Sequence, residues 1–341
     1  MTGAQGAIAL LALGLAACCP TSPATRSGAT TATPPTEPAL VARPLVLDVD
    51  GRWIGGGICY GPHRDGQRPG GPAPTDAELA EDLRLMAPRW SLVRTYGADD
   101  PAERLLALIR RERLPFKLLL GAWIAPEPGA GDAVAANRAQ VESAIRLANA
   151  YPDVVVAVVV GNETQVSWSD HRVPLDQLVR DVRAVRAATS VPVTTADDFA
   201  FWLEPGSERL VRELDFVVMH VHPMWNGQLL DQALAFTQDK FAAVAALHPD
   251  RPMFLGEVGW ATRRHTEGDQ AKYIKGVADE AAQRAFFEQF VAWTTQARIP
   301  STYFEAFDEN WKGGDHPDEV EKHWGLWRAD RTPKEALRAG G

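Results

Sequence analysis

The chain has 341 residues, 45% of them hydrophobic and 23% charged, an ordinary balance for a globular protein. Its formal net charge of −9 opposes binding to nucleic acid or to anionic lipid, so neither is expected as a partner. Of three cysteines, only Cys59 lies in the body of the chain, which excludes an internal disulfide framework and a cysteine-based metal cluster there. Cys59 is expected to be buried and inert.

The N-terminus opens with an apolar run, Ala7 to Leu15, too short to span a bilayer as a stable helix. It ends in Leu15-Ala16-Ala17-Cys18, which resembles a bacterial lipoprotein signal with Cys18 as the lipidated residue, although Met1 to Gly6 lacks the usual Lys or Arg. Pro20 to Pro44 is rich in Pro, Thr, Ala and Ser without apolar period and reads as a tether. The expected organisation is a signal over 1–18, a linker over 19–50 and one catalytic domain over 51–341. The protein is then exported to the cell surface or periplasm as a monomer, touching membrane only through a lipid anchor.

Beyond the linker, short apolar runs alternate with amphipathic segments. Trp53 to Tyr60 reads as the first strand, and a Gly/Pro-rich loop follows it. Thr75, with Glu78 three residues on, is a capping box that starts a helix to Met86. Trp90 to Tyr96 is the second strand, Pro101 to Arg113 a helix, Phe116 to Ala122 the third strand and Asp132 to Ala150 a helix. Val154 to Val160 contains only Val and Ala, the mark of a strand buried on both faces in a parallel sheet. Leu175 to Thr189 is a helix, Val191 to Thr195 the fifth strand, Phe216 to Val221 the sixth and Leu229 to Leu247 a helix. Met253 to Glu257 is the seventh strand, Ala271 to Ala297 one long helix and Thr302 to Phe307 the eighth strand, with Lys334 to Ala339 available to close the ring. This alternation predicts an α/β fold, a TIM (β/α)8 barrel. The rival doubly wound sheet wants a Gly-rich phosphate loop, and Gly55-Gly56-Gly57 does not match its spacing.

A barrel presents its chemistry at the C-terminal strand ends. The fourth strand ends in Gly161-Asn162-Glu163 and the seventh in Gly256-Glu257. Two carboxylates on one rim suit retaining glycoside hydrolysis, in which one protonates the leaving oxygen and the other attacks the anomeric carbon. Glu163 follows a wholly apolar strand, and partial burial there favours the protonated acid. Arg94 and Tyr96 alternate onto one face of the second strand, where a cation and a hydroxyl can keep Glu257 ionised. The glycines before each glutamate are expected to spare space near a ligand. His220 and His222 point to one face of the sixth strand, with Asp197 and Asp198 after the fifth. These could form the metal site of a metal-dependent hydrolase, but the rest of that pattern is missing, so sugar contact or support of the carboxylates is expected and no metal or other cofactor. Trp225, Trp260 and Trp311 follow three adjacent strands and could stack on sugar rings.

Further motifs sharpen this. Gly57-Ile58-Cys59-Tyr60-Gly61-Pro62, Val93-Arg94-Thr95-Tyr96-Gly97, Val160-Gly161-Asn162-Glu163, Gly256-Glu257-Val258-Gly259-Trp260, Phe307-Asp308-Glu309-Asn310-Trp311-Lys312 and Glu321-Lys322-His323-Trp324-Gly325-Leu326 stand in order along the chain. As a set they resemble glycoside hydrolase family 17, the β-1,3-glucanases and related transglycosylases. The stretch Tyr303 to Asp308 is more similar to bacterial members than to plant ones. The resemblance implies Glu163 as acid/base and Glu257 as nucleophile. It implies a β-glucan as substrate, with Asn162, Glu305, Glu309 and Lys312 joining Arg94, Tyr96, His220, His222 and the three tryptophans around it. It leaves hydrolysis and transfer both open. Outside enzymes, the alternative is a surface lipoprotein that binds glucan without cleaving it.

Overall fold

The eight expected strands close into a barrel in the computed structural model, which describes residues 40–127 and 131–338. The signal, Cys18 and the tether up to residue 39 lie outside the described residues. Two short strands come first, β1 (Asp48–Val49) and β2 (Arg52–Trp53), paired antiparallel. The barrel strands are β3 (Gly56–Cys59), β4 (Leu92–Arg94), β5 (Lys117–Ala122), β6 (Val155–Asn162), β7 (Val193–Asp198), β8 (Val217–His220), β9 (Met253–Val258) and β10 (Ser301–Tyr303). All neighbours are parallel, and β10 pairs with both β9 and β3 to close the ring.

The crossovers follow the expected pattern: α1 (Asp76–Met86), α2 (Asp100–Arg111), α3 (Ala133–Ala150) and α4 (Leu175–Ala188). Thr75 and Glu78 make the capping box in full. Two short helices not foreseen, α5 (Phe199–Trp202) and α6 (Ser207–Val211), follow β7; α7 (Leu230–Leu247) follows β8. The single long helix expected after the seventh strand is two, α8 (Gly268–Tyr273) and α9 (Glu280–Gln296), because Asp279 takes an extended conformation and caps the second by accepting from the Ala282 amide. Near the end, the segment expected to close the ring is a short helix, α10 (Glu335–Arg338). β10 closes the ring at Ser301–Tyr303, shorter than the expected strand, and beyond it the Phe304 and Ala306 amides still donate to the carbonyls of Val258 and Cys59.

Alternation along β6 divides the core. Ala157 and Val159 join Leu92, Leu119, Ala196, Phe216, Val218 and Phe254 inside the barrel, while Val158 and Val160 pack outward under the helices. Leu47 and Ile54 from the β1–β2 hairpin cap this interior cluster at the N-terminal end. The hairpin turns at Asp50-Gly51, both with positive φ (50° and 76°), the two-residue turn that suits the strand twist. Residues 43–50, within the expected linker, belong to the folded body. The Arg43 amide donates to Asp215 at 2.6 Å, and its guanidinium donates to the carbonyls of Arg186, Thr189 and Val191. A tether composition says nothing of one arginine that finds three carbonyls.

Candidate active site

At the C-terminal mouth, β6 ends in a bend that the alternation of a strand does not supply. Gly161 has φ +80° and Glu163 φ +47°. The first is free for glycine; the second is uncommon for a side chain with a Cβ and marks strain held by its surroundings. Those surroundings are visible: the Glu163 amide donates to the Ala196 carbonyl at 2.8 Å, the Gln165 amide donates to Asp197 at 2.8 Å, and the His171 ring meets the Asn162 carbonyl at 2.7 Å. The Glu163 side chain keeps 26% of its surface accessible, and its Oε1 lies 3.0 Å from His220 Nδ1.

Glu257, on β9, is buried at the same rim. Arg94 Nη1 donates to its Oε1 at 2.6 Å, and Arg94 Nη2 donates to Asn162 Oδ1 at 2.5 Å. One guanidinium thus fixes the buried carboxylate and turns the Asn162 amide nitrogen away from itself. His220 Nε2 and His222 Nε2 each stand 3.5 Å from a Glu257 oxygen. Burial alone would raise Glu257, but His220, Arg94 and His222 outweigh it and hold the carboxyl well below the usual range. The ion pair with Arg94 expected from the sequence is therefore present and keeps Glu257 charged. Tyr96 differs in detail: its hydroxyl accepts from Arg94 at 3.4 Å rather than reaching Glu257 directly. Cys59 is buried with its thiol pushed up to about 11 by burial, inert as expected.

His222 is wedged edge-on between Phe304 and Trp324, with ring centroids 5.5 and 5.3 Å away. Burial pulls its pKa down, but Glu257, Glu163 and Glu321 raise it to about 9, so the ring is cationic at neutral pH. Glu163, His220, His222 and Glu257 each bring a ligand-type atom within 4.8 Å of the others. Such a set could hold a metal ion. The Arg94 guanidinium already bound to Glu257 at 2.6 Å is poor electrostatics for a second cation.

On the β10 side, Lys312 Nζ lies 2.6 Å from Glu305 and 2.8 Å from Glu309. Burial raises Glu305 well above the usual carboxylate range, and Lys312 only partly offsets it. Glu309 is held at about 2: burial pushes it up, but Lys312, His63 and Trp311 more than reverse that. These three residues support the rim as a fixed cluster.

The tryptophans divide. Trp311 is 40% exposed, and its indole N–H donates to Glu309 at 2.9 Å. Trp225 is partly buried and donates to Glu321 at 2.9 Å. Trp260 is a correction: it is fully buried, donates to the Val277 carbonyl and packs on Phe286, so it has no face to offer a sugar. The glycines are a second one. A Cβ on Gly256 would come within 2.4 Å of Val218 and 2.9 Å of His220; the space is taken by protein, not left for a ligand. Two further exposed indoles are not among the residues expected at the site. Trp123 is 38% exposed and stacks on His171 at 4.7 Å, and Trp168 is 60% exposed. Trp123 ends a strand and was legible as such; Trp168 sits in an irregular loop with no periodic signal.

Comparison with known proteins agrees with this geometry. A family model described as the BtgE/BtgC glycoside hydrolase domain matches residues 57–325. A glucan 1,3-beta-glucosidase of Arthroderma benhamiae is 26% identical over 79% of this chain and 86% of its own length. One from Schizosaccharomyces pombe is 27% identical over 76% and 80%. Among solved structures, an endo-laminarinase from Formosa Hel1_33_131 superposes with a TM-score of 0.73 at 24% identity, covering 83% of this chain and 86% of that one. A family 17 β-1,3-glucanosyltransferase from Rhizomucor miehei gives 0.65 at 25% identity, covering 82% and 96%. With a closed barrel, paired rim glutamates and a family model spanning the site, the chain belongs to the BtgE/BtgC glycoside hydrolase domain family, a family 17-like group of glycosidases.

Proposed function

We propose that the protein cleaves and rejoins β-1,3-glucan by double displacement, with Glu257 as nucleophile and Glu163 as acid/base. The observation that carries this is the pairing of unlike carboxyls across one cleft. Oxygens of the two lie within 4.8 Å, close to the ~5–5.5 Å carboxyl spacing of retaining enzymes and short of the roughly 6.5–9.5 Å that admits a water for inversion. Glu257 is held ionised by Arg94 and two histidines, as a nucleophile must be, while Glu163 is accessible enough to meet a leaving oxygen.

In the first half-reaction Glu163 gives its proton to the glycosidic oxygen, that oxygen leaves with the bonding pair, and Glu257 bonds to the anomeric carbon. In the second, Glu163 takes a proton from a water or a sugar hydroxyl, which attacks that carbon and frees Glu257. The Asn162 amide nitrogen, oriented by Arg94, is placed to donate to the neighbouring sugar hydroxyl. Trp311, bonded to Glu309, and Trp123, against the His171 ring that meets the Asn162 carbonyl, have exposed indole faces available to sugar rings. An indole platform next to Asn162, at Trp123, favours holding a second sugar as acceptor, which supports transfer alongside hydrolysis. The names of the relatives point the same way, to β-1,3-glucosidase and glucanosyltransferase activity. Export as a lipoprotein anchored through Cys18 belongs to the same reading, motivated by Leu15-Ala16-Ala17-Cys18. Incubation with laminari-oligosaccharides tests it: products longer than the substrate mean transfer, shorter products alone mean hydrolysis, and no change in chain length refutes the assignment.

A further inference from the structure

The imidazole of His220 has contacts with both reacting carboxyls. Its Nδ1 lies 3.0 Å from Glu163 Oε1, and its Nε2 lies 3.5 Å from Glu257 Oε1 without a hydrogen-bond partner. The side chain is fully buried, and register places its residue opposite both Asp198 and Glu257. The residue before the nucleophile is glycine, and the ring packs against it: a Cβ there would sit 2.4 Å from Val218 Cγ1, 2.9 Å from His220 Cδ2 and 3.0 Å from Nε2. The fold therefore reserves a place for an imidazole between the two glutamates that no sugar can reach.

Resting on the assignment of Glu163 and Glu257 above, we propose that His220 is a positioning residue for the acid/base: its Nδ1–H donates to Glu163 Oε1. Two consequences follow from that bond. It occupies Oε1 as an acceptor, so the transferable proton sits on Oε2, the oxygen left for the cleft. It also stabilises Glu163 in its ionised form, the form it must have while the glycosyl-enzyme waits for an acceptor. Negative charge moves from Glu257 to Glu163 in the first half-reaction and back in the second, and the Nδ1 donor matters most when the charge is on Glu163. The other charged or titratable groups facing this pair are Arg94, Asp197, Asp198, His222, Glu257 and Glu321. They are the same in every variant below; His220→Phe and His220→Asn both lose the Nε2 beside Glu257, so the difference between those two isolates the Nδ1 bond.

The two imidazole nitrogens can be mimicked separately. His220→Asn places an amide donor where Nδ1 stands; His220→Gln places one where Nε2 stands; His220→Phe keeps the ring and removes both. Losing a donor to a carboxylate disfavours the ionised form, so titration of Glu163 must move to higher pH. Carboxyl 13C NMR of the full chain should show the Glu163 midpoint rising by about one pH unit or more in His220→Phe and His220→Gln and staying near wild type in His220→Asn. On laminari-oligosaccharides the alkaline limb of kcat/KM should move likewise. With an activated aryl laminarioside, the Phe and Gln variants should show a burst, because the glycosyl-enzyme then waits longer for an ionised Glu163 and its breakdown becomes limiting. If His220→Phe does not fold, the Asn–Gln pair decides alone. Identical midpoints in all variants, or equal shifts in Asn and Gln, overturn the proposal. The NMR arm needs no turnover, so a protein inert on laminari-oligosaccharides but showing the Asn–Gln difference would refute the substrate reading and leave the positioning role standing.

Discussion

The two ends of the barrel are built from the same strands to opposite rules. At the N-terminal end the interior is apolar throughout: Phe216, Phe254, Leu92 and Leu119 fill it, and Leu47 and Ile54 close it from below. Two to four residues further along the strands stand Arg94, His220 and Glu257, with Glu305 and Glu309 just beyond β10, all buried. Packing of the first kind stabilises by removing apolar area from water. Burial of the second kind is costly and only partly offset by pairing. A chain that needed only to fold would fill both ends alike. The charged end is therefore read as the part selected for chemistry, and the apolar end as what makes it tolerable.

Substitutions at the two ends should separate accordingly. The largest effect is expected from Glu257→Gln, which keeps an acceptor for Arg94 but removes the nucleophile. Turnover on laminari-oligosaccharides should fall roughly 10⁴-fold or more, with a change in Tm of only a few degrees. A variant retaining a tenth of the activity would break the contrast. Phe254→Ala should do the reverse. A cavity inside the barrel costs about 3–5 kcal/mol in denaturant unfolding, while kcat of the folded fraction stays within about twofold. The smallest effect belongs to the rim between the two ends. Trp311→Ala should weaken laminari-oligosaccharide binding by about 1–3 kcal/mol in calorimetry, if its exposed face covers a sugar, with stability nearly unchanged. Equal binding by the variant would assign Trp311 to the Glu309–Lys312 cluster alone.

The apolar end was the more legible in the sequence, because burial writes itself as pattern. Val154 to Val160 announced a parallel strand, and Thr75 with Glu78 announced a helix start. The charged end was legible at Glu163, Glu257 and Arg94, where strand ends, spacing and family resemblance coincide. Other features were not. The bend at Glu163 depends on φ angles that neighbouring β7 and His171 impose, and no local pattern encodes it. Trp260 and Trp311 look alike in sequence, yet one is held under α9 by Phe286 and the other is exposed and bonded to Glu309. Val193–Asp198 runs three residues beyond the apolar pattern because Asp197 and Asp198 are paired to β8 despite their charge. The β1–β2 hairpin did carry a signal, Asp50-Gly51, overlooked because its strands are two residues long.

The central claim, that the two rim glutamates work as nucleophile and acid/base in double displacement, is tested most directly by the anomer first released from a β-1,3-glucan. NMR during the first turnovers, before mutarotation, reads it without any substitution. The structure predicts the β-anomer, formed by two inversions through a bond to Glu257. A first-formed α-anomer would mean single displacement by water and would contradict the assignment of Glu257 as nucleophile.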